Sequence, residues 1–221
     1  RAIADCDRVI QIVPDHVNGQ MCRGDMHRYK GEIDLALADY RRAIDGHPKD
    51  ARAYLGQGLV YLQHGEIERA LASLDQAAAL VSGGANFYRW RAFARISANR
   101  FPEAIEDLSR LSELNQKDVY TQLWLEIARR RNGQPGHLAD TAKQLDMSRW
   151  PAPIVTLLLG QKSLEATRDA ADDPRTFKKI GQICEVNFYA GELVLANGAK
   201  DNALRLLHLA ADDCPKNFME W

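Results

Sequence analysis

The 221-residue sequence has no long apolar run, no excess of charge of either sign and no compact catalytic signature. Its longest apolar stretches, such as Ile154 to Leu159, fall far short of the roughly 20 residues needed to cross a bilayer, so no transmembrane segment is expected. Lys plus Arg number 29 against 30 for Asp plus Glu, a balance of -1. That gives no global field to draw in nucleic acid or an anionic membrane. There is no Gly-x-Ser-x-Gly elbow, no His-Glu-x-x-His, no Cys-x-x-Cys and no phosphate loop. Gly160-Gln161-Lys162-Ser163 lacks both the upstream glycine and the Gly-Lys adjacency of such a loop and reads as a turn between helices. The six histidines stand singly, and the nearest ligand pair, Cys22 and His27, is five residues apart and does not share a helix face. No metal site, no cofactor and no enzymatic activity are expected. No stretch alternates with period two long enough for a strand. What remains is a chain with 46% hydrophobic and 27% charged residues, enough for a packed globular or solenoid core.

The positive signal is internal repetition. Pro14 and Pro48, Gly24 and Gly58, Gly31 and Gly65, and Ala36, Ala70 and Ala104 recur at intervals of 34 residues. From Val17 to Pro48 the small and large residues fall as Gly24, Gly31, Ala36, Tyr40, Ala43 and Pro48. From Ala51 to Ser82 they fall as Tyr54, Gly58, Tyr61, Gly65, Ala70, Leu74 and Ala77. This pattern resembles the tetratricopeptide repeat (TPR): helix A, a glycine turn, then an antiparallel helix B. A third unit, 85–116, keeps Tyr88, Ala92, Ala104 and Leu108 but has Asn99 at its turn, and a fourth from Val119 keeps Gly133 before dissolving into Gln134-Pro135-Gly136. The segment before Val17 fits helix B of an earlier unit, whose partner is expected upstream of Arg1. The fold expected is all-α, a right-handed TPR superhelix of antiparallel helix pairs with about twelve helices.

The register breaks between Asp146 and Asp173. Trp150, Pro151 and Pro153 start a short apolar helix, Gly160 turns, and Ser163 caps a second helix that Asp172-Asp173-Pro174 stops. A last helix pair carries Gly191, Gly198, Ala203, Leu207, Ala210 and Pro215, and Phe218 to Trp221 begin a further, capping helix. The organisation is thus a TPR array over 1–145, an irregular hairpin over 146–174 and a C-terminal TPR over 175–221. Trp150-Pro151, Ile154-Val155 with Leu158-Leu159-Gly160, Glu185-Val186-Asn187-Phe188-Tyr189 with Gly191, and Asn217-Phe218 resemble the NlpI-type TPR lipoproteins of bacteria. The resemblance implies a non-catalytic envelope adaptor, often dimeric, whose relatives present peptidoglycan hydrolases to a periplasmic tail-specific protease. The chain departs from that pattern in lacking a visible lipid-attachment cysteine and in ending inside the terminal helix.

In the TPR family, fixed positions of each helix A line a concave groove for peptides. Transferred to this chain, they give Asn18, Met21, Asp25, Arg28 and Tyr29; Arg52, Leu55, Leu59, Leu62 and Gln63; Asn86, Arg89, Phe93, Ile96 and Ser97; and Tyr120, Leu123, Ile127, Arg130 and Arg131. Leu55, Leu59 and Leu62 make an apolar stripe at helical spacing, and the flanking arginines suit a peptide with acidic or carboxylate groups. The same leucines serve equally well to pack neighbouring helices. The places that would form a carboxylate clamp for chaperone tails hold Met21, Asp25, Gly56, Asn86 and Trp90, which reads against Hsp70 or Hsp90 recognition. Arg89, Arg91, Arg95 and Arg100, echoed by Arg129, Arg130 and Arg131, form the one local charge excess, either a solvated helix face or a site for an acidic partner or glycan.

Cys184, at the start of the last helix A, and Cys214, at the end of its helix B, are expected side by side as a disulfide; Cys6 and Cys22 sit on adjacent helices and are a second candidate pair. Oxidised pairs point to a periplasmic or envelope location, free thiols to the cytoplasm. The leading expectation is a non-enzymatic scaffold binding a protein or peptide segment. The alternatives are a recruitment domain of a larger enzyme such as a glycosyltransferase, and a self-associating module that forms a homodimer.

Overall fold

The glycines that punctuate the sequence are where helices stop. The computed structural model describes residues 2–81 and 84–214, and among these every regular element is helical. In order they are α1 (Ala2–Ile12), α2 (Val17–Lys30), α3 (Ile33–Gly46), α4 (Ala51–Gln63), α5 (Ile67–Leu80), α6 (Ala85–Ser97), α7 (Phe101–Leu114), α8 (Val119–Arg131), α9 (Leu138–Thr141), a single 3-10 turn at Ala142–Gln144, α10 (Ala152–Leu158), α11 (Leu164–Asp169), α12 (Thr176–Ala196) and α13 (Lys200–Asp213). Gly31, Gly65 and Gly198 follow helices A with φ of 75°, 71° and 85°, a left-handed conformation that costs glycine nothing. Asn99, at the equivalent place after α6, takes φ 57°, which its short polar side chain tolerates. Ser82, Pro215 and the capping-helix segment Phe218 to Trp221, with Asn217, lie outside the described residues.

The chain divides into two compact units, residues 1–107 and 108–221, with the boundary inside α7. In the first unit α2 pairs with α3 and α4 with α5, and α2, α4 and α6 touch one another in turn. One contact recurs at the same depth of successive pairs. A Cβ on Gly24 would stand 3.2 Å from the Tyr40 ring, and one on Gly58 would stand 2.8 Å from Leu74. Tyr40 and Leu74 have almost no exposed surface. Tyr40 also lies flat against Gly56 of the following pair, where any side chain would overlap its ring. The core around these contacts holds Ala36, Leu37, Tyr40, Val60, Tyr61, Ala70, Leu71, Leu74 and Ala94.

A polar staple follows the same 34-residue spacing. Arg23 forks onto Asp39 of α3 and also reaches Asp7 of α1; two repeats later Arg91 forks onto Asp107 and reaches Asp75 of α5. Between them, the equivalent places hold the neutral pair Gln57 and Ser73, hydrogen-bonded at 2.8 Å. Asp39 and Asp107 are buried, so each arginine pairs a desolvated carboxylate; Asp107 is also held by Arg95 at 2.8 Å and Asp39 more loosely by Arg42 at 3.4 Å.

In the second unit α8, α10 and α11 pack on α12, which pairs with α13. Gly191 admits Leu207 just as Gly58 admits Leu74: an added Cβ would stand 2.9 Å from it. The irregular hairpin is formed by α10 and α11. Gly160 turns with φ 70°, and the Ser163 side chain accepts a hydrogen bond from the Ala166 amide. It does not stand apart: Ile154, Val155, Leu157 and Leu158 share one core with Leu123, Ile127, Val186 and Tyr189. One expectation is corrected. Cys184 lies well inside α12, because residues 176–183 contain no proline and the helix begins directly after the Asp172-Asp173-Pro174 break.

The packing makes a clear forecast. Gly56→Ala should lower stability by about 1–3 kcal/mol through overpacking against Tyr40. Gly46→Ala, where an added Cβ meets nothing within 4 Å, should leave it unchanged or raise it by about 0.5–1 kcal/mol. Urea denaturation followed by circular dichroism separates the two.

Candidate functional site

The positions expected to line a groove have two different fates. In the first unit, α2 and α4 leave between them a cavity of about 370 Å³, bounded by Asn18, Met21, Asp25, Arg52, Leu55 and Leu59, with Tyr40 and Gly56 at its base. Tyr29 is exposed at the end of α2, its ring under the guanidinium of Arg28 at 4.5 Å. Leu55 and Leu62 pack partly against the core, while Leu59 stands half-buried in the cavity wall. The leucine stripe therefore does both of the things its spacing allows. On α6, Arg89, Phe93 and Ile96 are half-buried, and Phe93 meets Trp90 edge-on with ring centroids 5.6 Å apart.

The fourth set of positions is closed by the protein itself. Leu123 has no exposed surface and Ile127 almost none, so both are core residues rather than groove-lining ones. The Tyr120 hydroxyl donates to the Glu185 carboxylate of α12 at 3.2 Å, and the Trp150 indole donates to the same carboxylate at 2.6 Å. Arg130 donates to Glu126 at 2.6 Å and to the Leu158 carbonyl at 3.2 Å. Positions that are open in an ideal repeat are filled here by α10 and α12, which the repeat register alone does not reveal. The tryptophan-led hairpin and the Glu185-to-Tyr189 segment were the signal: their residues form the lock, with Arg168 also forking onto Asn187.

The arginine clusters are corrected too, because they are neither simply solvated nor free for a partner. Arg91 and Arg95 both engage Asp107 and Asp75, Arg100 engages Glu68, Arg129 the Pro135 carbonyl, Arg130 Glu126 and Arg131 Glu192. Apart from Glu126, which lies four residues before Arg130 on α8 itself, the acceptors come from other helices or from the loop after α8, so a local count of charges missed most of them. Arg52 is similarly committed, to Asp50 and to Asn18 one repeat earlier, and its guanidinium holds the Asp50 carboxyl below the usual carboxylate range. Among the described residues no cluster of three or more His, Cys, Asp or Glu forms a metal site, and no helix is long and apolar enough to cross a membrane. Cys6 faces Cys22 and Cys184 faces Cys214 in disulfide pairs, with Cα atoms 6.0 Å and 5.3 Å apart.

Where the fourth repeat dissolves, the buried Glu126 takes over. Its carboxylate accepts from the backbone amides of His137 and Leu138 at 2.7 and 2.9 Å, from Arg130, and lies 3.1 Å from the His137 ring; the other ring nitrogen of His137 lies 2.9 Å from the Gln122 side-chain oxygen. Gly136 is required beneath it, since a side chain there would collide with the carboxylate. Burial alone would raise the pKa of Glu126, but the hydrogen bonds from His137, Leu138 and Arg130 outweigh it and hold the pKa down to about 2. A carboxylate depressed on folding stabilises above its unfolded pKa near 4.3 and loses that contribution as pH falls toward 2, a term on the order of 3 kcal/mol. Glu126→Gln should therefore destabilise the chain at pH 7 and flatten the loss of stability between about pH 5 and 2, as read by chemical denaturation across pH. An unchanged acid profile would show that Glu126 does not carry it.

Comparison with known proteins places this geometry. Residues 23–85 and 56–119 match the tetratricopeptide repeat family. The chain matches no curated protein in sequence. Among solved structures it is similar to a tetratricopeptide repeat protein from Parabacteroides merdae, with 16% identity, a TM-score of 0.63, and coverage of 98% of this chain and 87% of that one. It is similar to YrrB, described as a TPR protein with an unusual peptide-binding site, with 17% identity, a TM-score of 0.57, and coverage of 96% and 93%. The first TPR of Spaghetti (RPAP3), solved bound to the HSP90 peptide SRMEEVD, covers 53% of this chain and 96% of its own length at 19% identity and a TM-score of 0.51. The chain is thus all-helical among its described residues and TPR-like in fold, with residues 23–119 matching the tetratricopeptide repeat family.

Proposed function

We propose that the chain is a non-enzymatic adaptor that binds a protein or peptide segment against α2, α4 and α6. The observation that carries this reading is the contrast between the two units: the cavity beside Leu55 and Leu59 is open, whereas the equivalent face of α8 is filled by the chain's own hairpin. An open cavity with apolar walls and a few polar groups at one end is the form in which helical surfaces take up extended segments. Peptide binding by YrrB and by the Spaghetti TPR supports the reading by analogy of fold. Met21, Asp25, Gly56, Asn86 and Trp90 remain a poor match to a clamp for chaperone tails.

A bacterial envelope location is part of the proposal. It is supported by the likeness of the Trp150 hairpin and the Asn187-Phe188-Tyr189 segment to NlpI-type lipoproteins, and by both cysteine pairs lying at bridging distance. Protein recovered without reductant should be lighter than its reduced form by the four hydrogens lost in two disulfides. Four alkylated thiols after trapping at the moment of lysis would remove the envelope from the account. Self-association is a second reading, favoured by Val9, Ile12 and Val13, which stand exposed together at the end of α1. Sedimentation that stays monomeric at high concentration would discard it.

A photo-crosslinking residue placed in the chain in its own cell tests the adaptor directly. At Leu59 it should give discrete adducts with another polypeptide; at Leu35, exposed on α3, it should give none. The adducts should fade when Phe93→Ala and Arg89→Glu are added with helicity unchanged. Equal adducts at both positions, or none at Leu59, would overturn the reading.

A further inference from the structure

We infer that the cavity between α2 and α4 holds a long basic side chain, Lys or Arg, of the bound segment, its head on Asp25 and its aliphatic stem along Leu55 and Leu59. This inference rests on the adaptor reading and names the chemistry of its ligand.

The argument is one of charge access. Three ionised groups stand on or beside the cavity: Arg52, Arg28 and Asp25. Arg52 is already forked onto Asp50, and the two charges cancel at short range. The Arg28 side chain is only 6% exposed, with its Nη2 atom 3.8 Å from Asp25, and lies stacked on Tyr29. Asp25 is the other half of that ion pair and is far more open. Its side chain is 46% exposed, and one oxygen, Oδ1, accepts from the Tyr40 hydroxyl at 2.7 Å. The other, Oδ2, has no hydrogen-bond partner among the described residues. Arg52 on the same cavity is more exposed but is neutralised by Asp50, which leaves Asp25 Oδ2 as an open anionic acceptor.

The walls select among cations. Met21, Leu55 and Leu59 supply methylene and methyl surface on the way to Asp25. A bare metal ion would find a single carboxylate and little else to bind. A lysine or arginine side chain satisfies both parts at once, burying its stem and pairing its head. Tyr40 fixes the geometry: burial, reinforced by its bond to Asp25, pushes its phenol well above the usual range, so it stays a donor that orients the carboxylate. The ligand preference is thus the reverse of the acidic one that the local arginine count suggests.

The test is a random-peptide display selection on the full chain, run in parallel on the wild type, Asp25→Asn and Asp25→Lys, each checked by its circular dichroism melt. Wild-type sequences should be enriched in Lys and Arg. The best of them, labelled with a fluorophore, should bind Asp25→Asn about tenfold more weakly by polarisation, as expected for the loss of one charge-assisted hydrogen bond. Asp25→Lys should select acidic sequences instead. Wild-type peptides that bind Asp25→Asn equally well, or that are enriched in Asp and Glu, overturn the basic-side-chain inference while leaving the adaptor reading in place. Selections in which no peptide loses affinity for a Leu59→Glu variant overturn both.

Discussion

The structure depends on how closely two helices of a pair can approach. Gly24, Gly58 and Gly191 each admit a large side chain of the facing helix, Tyr40, Leu74 and Leu207, into space a Cβ would occupy. Helix axes come this near only where one side presents nothing, so the small residue and the large one are a single device. Everything else in a repeat sits at a depth set by that contact. Arg23 meets Asp39, Gln57 meets Ser73 and Arg91 meets Asp107 because each lies one residue before the position that makes, or would make, the close approach. Tyr40 carries the constraint onward, since its ring also rests on Gly56 and its hydroxyl reaches Asp25. The packing residue of one pair thereby lines a cavity and donates to the Asp25 carboxylate there.

The same scaffold gives opposite surfaces in the two units. In the first, helices A follow one another with regular spacing, and their shared face is left with a cavity. In the second, α8 is followed by no full helix B. Glu126 caps the short α9 instead, and α10 and α12 bring Leu158 and Glu185 onto the face that Tyr120 and Arg130 would otherwise present. Loss of the repeat is therefore not loss of order. Glu126, Glu185 and Asn187 are buried polar groups, each hydrogen-bonded by side chains or amides from other segments, which fixes where the irregular part folds.

Helix pairing was legible in the sequence because its cause is local: glycine turns, small residues and their large partners recur in one window, and the Gly160 turn and Ser163 cap are read from single residues. The candidate site was legible only in part. Asn18, Met21, Asp25, Arg52, Leu55 and Leu59 on α2 and α4 line one cavity, because those helices obey the repeat. Leu123 and Ile127 are core instead, because Leu138, Leu145 and the apolar faces of α10 and α12, all outside the repeat register, pack in the same cluster. The arginines misled for a similar reason. Arg91 and Arg131 look unpaired in sequence, yet Asp107 and Glu192 stand opposite them across the pairing of helices. Electrostatics is decided by the fold, which pairs these charges across helices.

The central claim is that one repeat face is open and the other is closed by its own chain. Hydroxyl-radical footprinting with mass-spectrometric readout of individual residues tests it without knowledge of any partner. Leu59 and Tyr29 should be modified readily in the native protein, and Leu123, Ile127 and Tyr189 should be protected until denaturant is added. Comparable modification of Leu123 and Leu59 in the native state would contradict the account, because the fourth helix A would then be as accessible as the second.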